Sequence, residues 1–342
     1  MNWKHGFSAT YYMTIVDRDT WDDVERIEIK GASVSRSDSN LIESADIDCK
    51  NYDKGEQWVR LWLDARQKGS NAQHVALFTG LATSPNTDID GIIRSNKLEC
   101  YSVLKPADDY PLPRGYFVPK NSNVASLIKN ELLASSPAPV IIDGEPPSLA
   151  STILAENGET PLTMSIKLLD AINWRFRIDG NGTIHICPKD REVIATFDPL
   201  DNDVVEPQMS IEYDWFKCPN GFSAIIDGTL YTAIDDNPAS ELSTVTRGRR
   251  IEILEDNPAL NTAETATQYV KRRLAEEQTA VMKISYNRRF YPGITVGDYV
   301  SMNFPAQNVV GVFKIMSNGF DLNYGATVSE NANKISNSIL GD

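Results

Sequence analysis

Alternation of apolar and polar residues runs through the first hundred residues and constrains the fold more than any other feature. Ile27 and Ile29 alternate with charged side chains over residues 26–30, and residues 45–49 repeat the pattern. Successive side chains of a strand point to opposite faces, so this spacing is typical of strands with one buried face. Further strands are predicted at residues 58–63, 75–82 and 98–103, with turns at 67–71 and 86–88. Short strands separated by turns predict a small antiparallel barrel or sandwich over residues 1–105.

A proline-rich stretch marks the end of this first unit. Pro106, Pro111 and Pro113 cannot donate to a sheet ladder and restrict the residues before them. We therefore place a domain boundary near residue 105. The apolar period then becomes helical over residues 124–132, which predicts a change from strands to a helix.

Residues 106–204 are predicted to form a small α+β domain. Thr160 and Pro161 supply a capping hydroxyl and a proline at the first helical position, and apolar residues at helical spacing follow. Residues 174–178 then alternate, and the turn-forming residues 179–182 lead into another strand. The order of helix, strand, tight hairpin and strand is that of an α+β unit.

A second β unit is predicted over residues 205–330. Alternation restarts near Met209 and continues over residues 222–232. A helix that opens at Thr262 interrupts it, at about residues 258–278. Strands resume at residues 281–290, 296–304 and 309–317.

These units define a mainly β (α+β) fold class. It consists of two small antiparallel β-barrels, an intervening α+β domain and an inserted helix. Hydrophobic residues make up 41% of the chain, enough to fill cores of this kind. Residues 331–342 are polar and are predicted to form a C-terminal tail.

Charge and the length of apolar runs argue against two classes of partner. Asp and Glu number 47 against 33 Lys and Arg, a net charge of −14, so we expect no specific nucleic-acid sequence as a ligand. No apolar run approaches the roughly 20 residues of a membrane span, so no stable membrane insertion is expected. From the first residues we expect no secretory signal, and we expect synthesis and assembly in a cytoplasm.

Cysteines and histidines offer no complete metal site. The four cysteines are widely spaced, which argues against a zinc ribbon or a disulfide scaffold. His185 and Cys187 lie two residues apart on a predicted strand and share a face, which would supply half a zinc site. No second matched pair follows, so packing is the favoured interpretation. We predict no metal site and no cofactor.

Three pairs of adjacent aspartates are the candidates for catalysis, because two carboxylates can hydrolyse a glycosidic bond. The pairs are Asp22-Asp23, Asp108-Asp109 and Asp235-Asp236. All lie in turn-like surroundings, where aspartate commonly forms the turn itself. Residues 88–91 resemble a calcium loop without its later glutamate, and no helix follows residues 180–182, which favours a hairpin over a phosphate site. We predict no catalytic residue.

Basic clusters and large aromatic residues are the candidates for subunit contacts. Residues 247–250 and the pair Arg288-Arg289 either contact acidic patches across an interface or end strands in solvent. Trp58 and Trp62 have the same strand parity, so one face carries two indoles. Other candidate anchors are Trp3, Trp21, Trp174, Trp215, Tyr11, Tyr12 and Tyr116.

Several short phrases carry a resemblance to a known family. Residues 45–48, 59–63 and 77–85 are similar to the first barrel of that family, in which a strand runs into a Phe-x-Gly step. Residues 101–108 with 112–116 look like the exit from this barrel, and residues 294–300 resemble the Gly-Asp turn of a second barrel. With the order of the parts, the chain resembles the late control D-type hub proteins of phage tails and baseplates. It is similar as well to the hub part of tail-associated lysins and of type VI secretion spike proteins.

The resemblance implies a structural role in a virion, at the tail tip or baseplate. In that family a homotrimer places two related barrels of each subunit alternately around a ring, which joins a sixfold tail tube to a threefold spike or fibre. The implied partners are a distal tail or tail tube protein, a tape measure protein and a central spike or fibre protein. The tape measure and the DNA would pass through the ring.

Two other functions stay open. A tail-tip peptidoglycan or glycan hydrolase requires carboxylates that converge in one cleft. A carbohydrate-binding module requires exposed parallel aromatic rings and binds glycans as a monomer.

Overall fold

Antiparallel strands dominate the chain, which confirms the mainly β prediction. The computed structural model describes residues 1–50, 52–90, 93–189, 192–201, 204–216 and 218–335. Most strands join one thirteen-stranded sheet, and three small sheets lie beside it.

The first seven strands form a closed barrel. They are β1 (Ser8–Val16), β2 (Asp23–Ile27), β3 (Ile29–Ser37), β4 (Glu43–Lys50), β5 (Gln57–Arg66), β6 (Gln73–Asp90) and β7 (Ile93–Ser102). β1 pairs with β5, and the order continues through β6, β7 and β4 to β3. β2 pairs with β1 and is separated from β3 only by Glu28, so one bent strand closes the ring. Met13, Leu61 and Phe78 are among the side chains buried inside.

An α+β unit follows the first barrel. Its helices are α1 (Lys105–Asp108), α2 (Val124–Leu127), which continues as a π-helix over Ile128–Leu132, and α3 (Pro161–Ala171). Its strands are β8 (Phe117–Val118), β9 (Val140–Ile142), β10 (Ile153–Leu154), β11 (Trp174–Ile178) and β12 (Ile184–Pro188). Thr160 caps α3 by accepting the N–H of Thr163 at 3.2 Å, with Pro161 at the start as the sequence predicts. β11 and β12 form the predicted hairpin.

The C-terminal half builds a second barrel and a folded insertion. Its strands are β13 (Val193–Phe197), β14 (Val205–Tyr213), β15 (Gly221–Ile226), β16 (Thr229–Ile234), β17 (Glu252–Asp256), β18 (Met282–Arg289), β19 (Tyr299–Phe304), β20 (Val309–Asp321) and β21 (Thr327–Lys334). The second barrel has the order β13-β19-β20-β21-β18-β14. All six of its strands contribute to one core, from Phe197 on β13 to Ala332 on β21.

The insertion lies between β14 and β18. β15 pairs with β16 and β17, and the short helix α4 (Thr244–Arg247) lies between the latter two strands. The predicted inserted helix is α5 (Ala266–Glu277), which packs on this small sheet. It begins after Thr265, not Thr262, because the Thr265 hydroxyl caps the N–H of Gln268. The strands predicted at residues 222–232 belong to this insertion rather than to the second barrel.

The two barrels share one strand order. When β2 and β3 count as one strand, each barrel follows the order first, fourth, fifth, sixth, third, second by position in the chain. The directions agree except that β1 is antiparallel to β5 whereas β13 is parallel to β19. The second and third strands are joined by residues 38–42 in the first barrel and by residues 214–281 in the second.

Two segments predicted to be irregular are strands. The predicted turn at residues 86–88 lies within β6, because pairing with β7 extends along the whole segment and outweighs the turn preference of Asn and Asp. Residues 331–334 of the predicted tail belong to β21, which pairs with β18 and β20. Residues 336–342 of the tail lie outside the described residues.

Candidate assembly interface

The two barrels are joined inside the chain by pairing between β3 and β20. Residues 317–321 of β20 lie antiparallel to residues 33–37 of β3. The opposed side chains of Val34 and Phe320 are 1% and 3% exposed and belong to the core of the first barrel. A strand of the second barrel therefore completes the packing of the first.

Aromatic side chains reinforce this junction. Phe320 meets the rings of Tyr11 and Phe290 edge to face, with centroids 6.3 and 5.5 Å apart. The Tyr11 hydroxyl donates to the carbonyl of Asn323 at 2.7 Å. Trp3 packs against Phe290 at 5.7 Å. The candidate anchors Trp3 and Tyr11 thus serve a contact between barrels within one chain.

A β-bulge at the same place in both barrels aligns them residue by residue. The register shifts between Ala82 and Ser84 in β6, and between Ile315 and Ser317 in β20. Both bulges lie on the fifth strand of their barrel, next to the point where its pairing with the fourth strand ends. Ser84 is therefore the counterpart of Ser317.

Rows of paired residues extend the alignment around each barrel. In the first barrel the row is Val34, Ala45, Cys100 and Ala82. In the second barrel it is Ile211, Ile284, Ala332 and Ile315. Both rows end on the residue before the bulge. Val34 is thus the counterpart of Ile211, and β3 is the counterpart of β14.

β14 and β6, the counterparts of the joined strands β3 and β20, have open edges. Among the described residues, β14 pairs with β18 alone, and residues 86–90 of β6 pair with β7 alone. Apolar side chains on these segments are exposed: 65% of Ile89 and 51% of Tyr213. An exposed strand edge is a ready template for pairing with another chain.

Arg60 fixes the α+β unit to the first barrel. Its Nη1 lies 2.8 Å from Asp23 Oδ1, and its Nη2 donates to the carbonyl of Asn181 at 3.1 Å. Its Nε donates to the hydroxyl of Thr79, which donates to the carbonyl of Gly180 at 2.8 Å. The turn of the predicted hairpin therefore closes on the wall of the barrel.

Asp298 fixes the same unit to the second barrel. This buried residue of the Gly-Asp turn accepts from Arg175 Nη2 at 2.8 Å and from Arg177 Nη2 at 3.4 Å. It also accepts the N–H of Thr295 at 2.9 Å, while Arg175 donates to the carbonyl of Val296. Residues 294–300, which resemble the Gly-Asp turn of the family, thus form a contact between the second barrel and the α+β unit.

Arg288 lies inside the second barrel, which contradicts both interpretations of the cluster at residues 288–289 for this residue. The side chains of Arg288 and Glu330 are 1% and 0% exposed and form an ion pair. The Tyr286 hydroxyl donates to the same carboxylate at 2.6 Å. Burial raises the pKa of Tyr286 well above its usual value, and Glu330 raises it further. Arg288 and Glu330 each alternate in step with the buried residues of their strand, and this alternation is the signal in the sequence that indicates their burial.

The three aspartate pairs lie on different units and have structural contacts. Asp23 is in the ion pair described above. Asp108 accepts from the hydroxyl of Thr160 at 3.1 Å, beside the start of α3. Asp235 accepts from the hydroxyl of Ser240 at 2.6 Å within the insertion. The structure does not bring the pairs together in one cleft.

His185 and Cys187 share a face of β12, as predicted. His185 Nδ1 lies 2.8 Å from Asp143 Oδ2, and its Nε2 lies 3.9 Å from Asp179 Oδ2. Burial raises the pKa of the Cys187 thiol. In the part of the chain that the structure describes, no group of three possible ligands comes together to hold a metal ion. The same described residues include no helix long and apolar enough to cross a membrane.

The basic cluster at residues 247–250 is tied to its own unit. Arg247 donates from Nη1 to the carbonyl of Cys218 at 2.6 Å and from Nη2 to the carbonyl of Trp215 at 2.5 Å. Arg250 pairs with Glu252 at 2.8 Å. These contacts order the insertion within one chain.

Trp58 and Trp62 share the outer face of β5 but have different neighbours. Trp58 is 7% exposed and packs on Trp21 at 5.4 Å, in the core that includes the α+β unit. Trp62 stacks on Tyr12 at 6.3 Å and donates from Nε1 to the hydroxyl of Thr14. The shared face is therefore a contact between units at one end only.

A cleft of about 1130 Å³ lies between the α+β unit, the insertion and the second barrel. Its lining includes Glu276, which pairs with Arg272 and Arg273 at 3.0 Å each, and Asp170, which pairs with Lys189 at 2.6 Å. Burial alone would raise the pKa of Glu276, but Arg272 and Lys189 outweigh it and hold the pKa below its usual value. These carboxylates stabilise the walls of the cleft through their ion pairs.

Comparison with known proteins places the fold among phage tail proteins. No protein-family model matches the sequence, and no curated protein matches it. A tail protein from Neisseria meningitidis MC58 is similar over 95% of this chain and 96% of its own, at 15% identity and a TM-score of 0.69. The 43 kDa tail protein of prophage MuSo2 from Shewanella oneidensis is similar over 96% of this chain and 98% of its own, at 13% identity and a TM-score of 0.66.

A type VI secretion component has the fold as well. The E. coli c3393 protein is similar over 91% of this chain and 74% of its own, at 10% identity and a TM-score of 0.52. It is described as structurally similar to the T4 bacteriophage tail proteins gp27 and gp5. The fold that the sequence phrases indicated is thereby confirmed.

Proposed function

We propose that the chain is a structural hub of a phage tail tip or baseplate and acts as a homotrimer. Three copies would place six similar barrels around a ring, first and second in alternation. The ring would join a sixfold tail tube to a threefold spike or fibre. In this proposal the chain has no catalytic activity.

One observation carries the proposal: the two barrels share a strand order and a bulge at the same register. Similar barrels can occupy similar places around an axis, which three chains need in order to fill six positions. The fold shared with tail proteins of Neisseria meningitidis and Shewanella oneidensis supports the same role.

The proposed partners follow from a place between tube and spike. A distal tail or tail tube protein would dock on one side and a central spike or fibre protein on the other. The tape measure protein and the DNA would pass through the middle. The net charge of −14 suits such a passage, because acidic walls repel DNA and do not hold it. Assembly in the host cytoplasm and residence in the virion complete the proposal.

Mass and shape in solution test the ring. Light scattering should give three times the 38.0 kDa of one chain, and negative-stain images should show six lobes around an opening. A chain that stays monomeric at its highest soluble concentration would contradict the proposal. Lysis of purified peptidoglycan by that monomer would support the hydrolase instead, and glycan binding would support the carbohydrate-binding module.

A further inference from the structure

We propose that β14 of one subunit pairs antiparallel with residues 84–88 of β6 in a second copy of this chain. The template is the pairing of β3 with β20 inside the chain. This inference names the contact between subunits and so rests on the proposed ring. It identifies both strands and their register.

The register follows from the aligned barrels. Within the chain, Val34 lies opposite Phe320, and Ser35 lies opposite Gly319. The counterparts of the first pair are Ile211 and Thr87. The counterparts of the second pair are Glu212 and Asn86. Between two copies, therefore, Ile211 lies opposite Thr87 and Glu212 lies opposite Asn86.

The backbone groups of β14 point the right way for this pairing. In β3 the N–H of Ser37 donates to the carbonyl of Ile42 on the β4 side. The even-numbered residues of β3 therefore direct their backbone N–H and C=O groups to β20. In β14 the N–H of Asp214 donates to the carbonyl of Val281 on the β18 side. The odd-numbered residues of β14, Ile211 among them, thus direct their N–H and C=O groups to the open edge.

The side chains also match the template. Leu322 follows the paired segment of β20, donates its N–H to the carbonyl of Ala32 and packs against the first core. Its counterpart is Ile89, which is 65% exposed in one chain and would be covered by a second copy. Pro85 stands in the place of Asn318 and lacks an N–H, so the ladder has one donor fewer. A proline at an edge also limits pairing with unrelated strands.

The same contact repeated around an axis would pair the open edges of β14 and β6 in every copy. In each junction the second strand of one barrel meets the fifth strand of the next, and three junctions lie within chains and three between them. Contacts of this head-to-tail type generate a ring when the rotation closes. The exposed edges of β14 and β6 are thus the two halves of one interface.

A disulfide between subunits tests the register. The test variant carries Asn86→Cys and Glu212→Cys, both at exposed positions, with Cys187→Ser to remove the half-buried native thiol. Opposed Cβ atoms in an antiparallel pair lie about 4.5–5.5 Å apart. They are closest in non-hydrogen-bonded pairs, and the pair of residues 86 and 212 is of this kind. Mild oxidation should convert most of the chain to covalent dimers and trimers on a non-reducing gel.

A matched control moves one cysteine along the same strand. Asp88→Cys with Glu212→Cys keeps the face and the exposure but makes the pair diagonal, about 7–8 Å apart, too far for a disulfide. Cross-linking of the first variant only, in a protein that is trimeric by light scattering, supports the proposal. A trimer that cross-links neither pair, or both equally, overturns the strand pairing and leaves the ring. A protein that is only monomeric overturns both.

Discussion

Arg288 and Glu330 meet twice inside the second barrel, with Nη2 2.6 Å from Oε1 and Nε 2.8 Å from Oε2. By the alignment of the barrels, the same positions in the first barrel are Cys49 and Leu98, both buried and apolar. One barrel therefore holds a charged pair where the other holds an apolar contact. The barrel fold therefore accommodates either a buried ion pair or an apolar contact at these two positions.

Loss of one partner of this pair should be costly. Arg288→Met leaves the Glu330 carboxylate buried without a counter-charge, and we expect a loss of about 3–5 kcal/mol in the free energy of unfolding. The triple variant Arg288→Met, Glu330→Leu, Tyr286→Phe removes every polar group of the cluster and should lie within about 2 kcal/mol of the natural chain. Urea unfolding measures both. Equal losses would show that packing, and not the charge, is what Arg288 supplies.

Stability should depend on pH through Glu43. Burial raises the pKa of this carboxyl from 4.5 to about 7, although Arg36 lies 2.9 Å away and lowers it. Between these values the unfolded chain has released the proton that the folded chain keeps, so stability falls as the pH rises. The loss is on the order of 3 kcal/mol. Relative to the natural chain, Glu43→Gln should gain stability between about pH 5 and about pH 8 in urea unfolding. A constant difference between the two proteins would contradict the assignment.

Gly180 should not tolerate a side chain. A Cβ at this position would overlap the backbone carbonyl of Ala76, which cannot rotate away. We expect Gly180→Ala to lower the free energy of unfolding by about 1–3 kcal/mol. Gly31→Ala is the control, because a Cβ there meets no atom within 4 Å. Thermal unfolding of the two variants separates them, and equal midpoints would argue against close packing of the hairpin on the barrel.

Asp298→Asn should loosen the contact between the α+β unit and the second barrel. The variant loses the charge that Arg175 and Arg177 share, and hydrogen bonds to charged groups contribute about 2 kcal/mol each. Hydrogen exchange should speed up in β11 and in residues 293–298. Lys189→Ala removes an exposed ion pair with Asp170 and should cost less than about 1 kcal/mol. Unchanged exchange in β11 would mean that the units are held by other contacts.

Local signals in the sequence predicted what local chemistry determines. Thr160 and Pro161 identify the start of α3, and residues 179–182 identify the hairpin, because capping and turn formation depend on neighbours in the chain. Alternation identified most strands of both barrels for the same reason.

Contacts between distant residues escaped prediction. The turn preference of residues 86–88 is outweighed by pairing with β7, and the pairing of Val34 with Phe320 joins opposite ends of the chain. The burial of Arg288 depends on Glu330, which lies on another strand. Alternation with a period of two indicates which residues of a strand face inward, but it does not predict which residue of another strand each of them contacts.

The connection between the second and third strands differs between the barrels, as residues 38–42 in one and residues 214–281 in the other. In a ring of three copies, a partner that touched only the barrel walls would find the same surface after each sixth of a turn. A partner that touched the insertions would find it again only at every other barrel. In such a ring, the length of a single connection is thus sufficient to reduce the number of equivalent docking places from six to three.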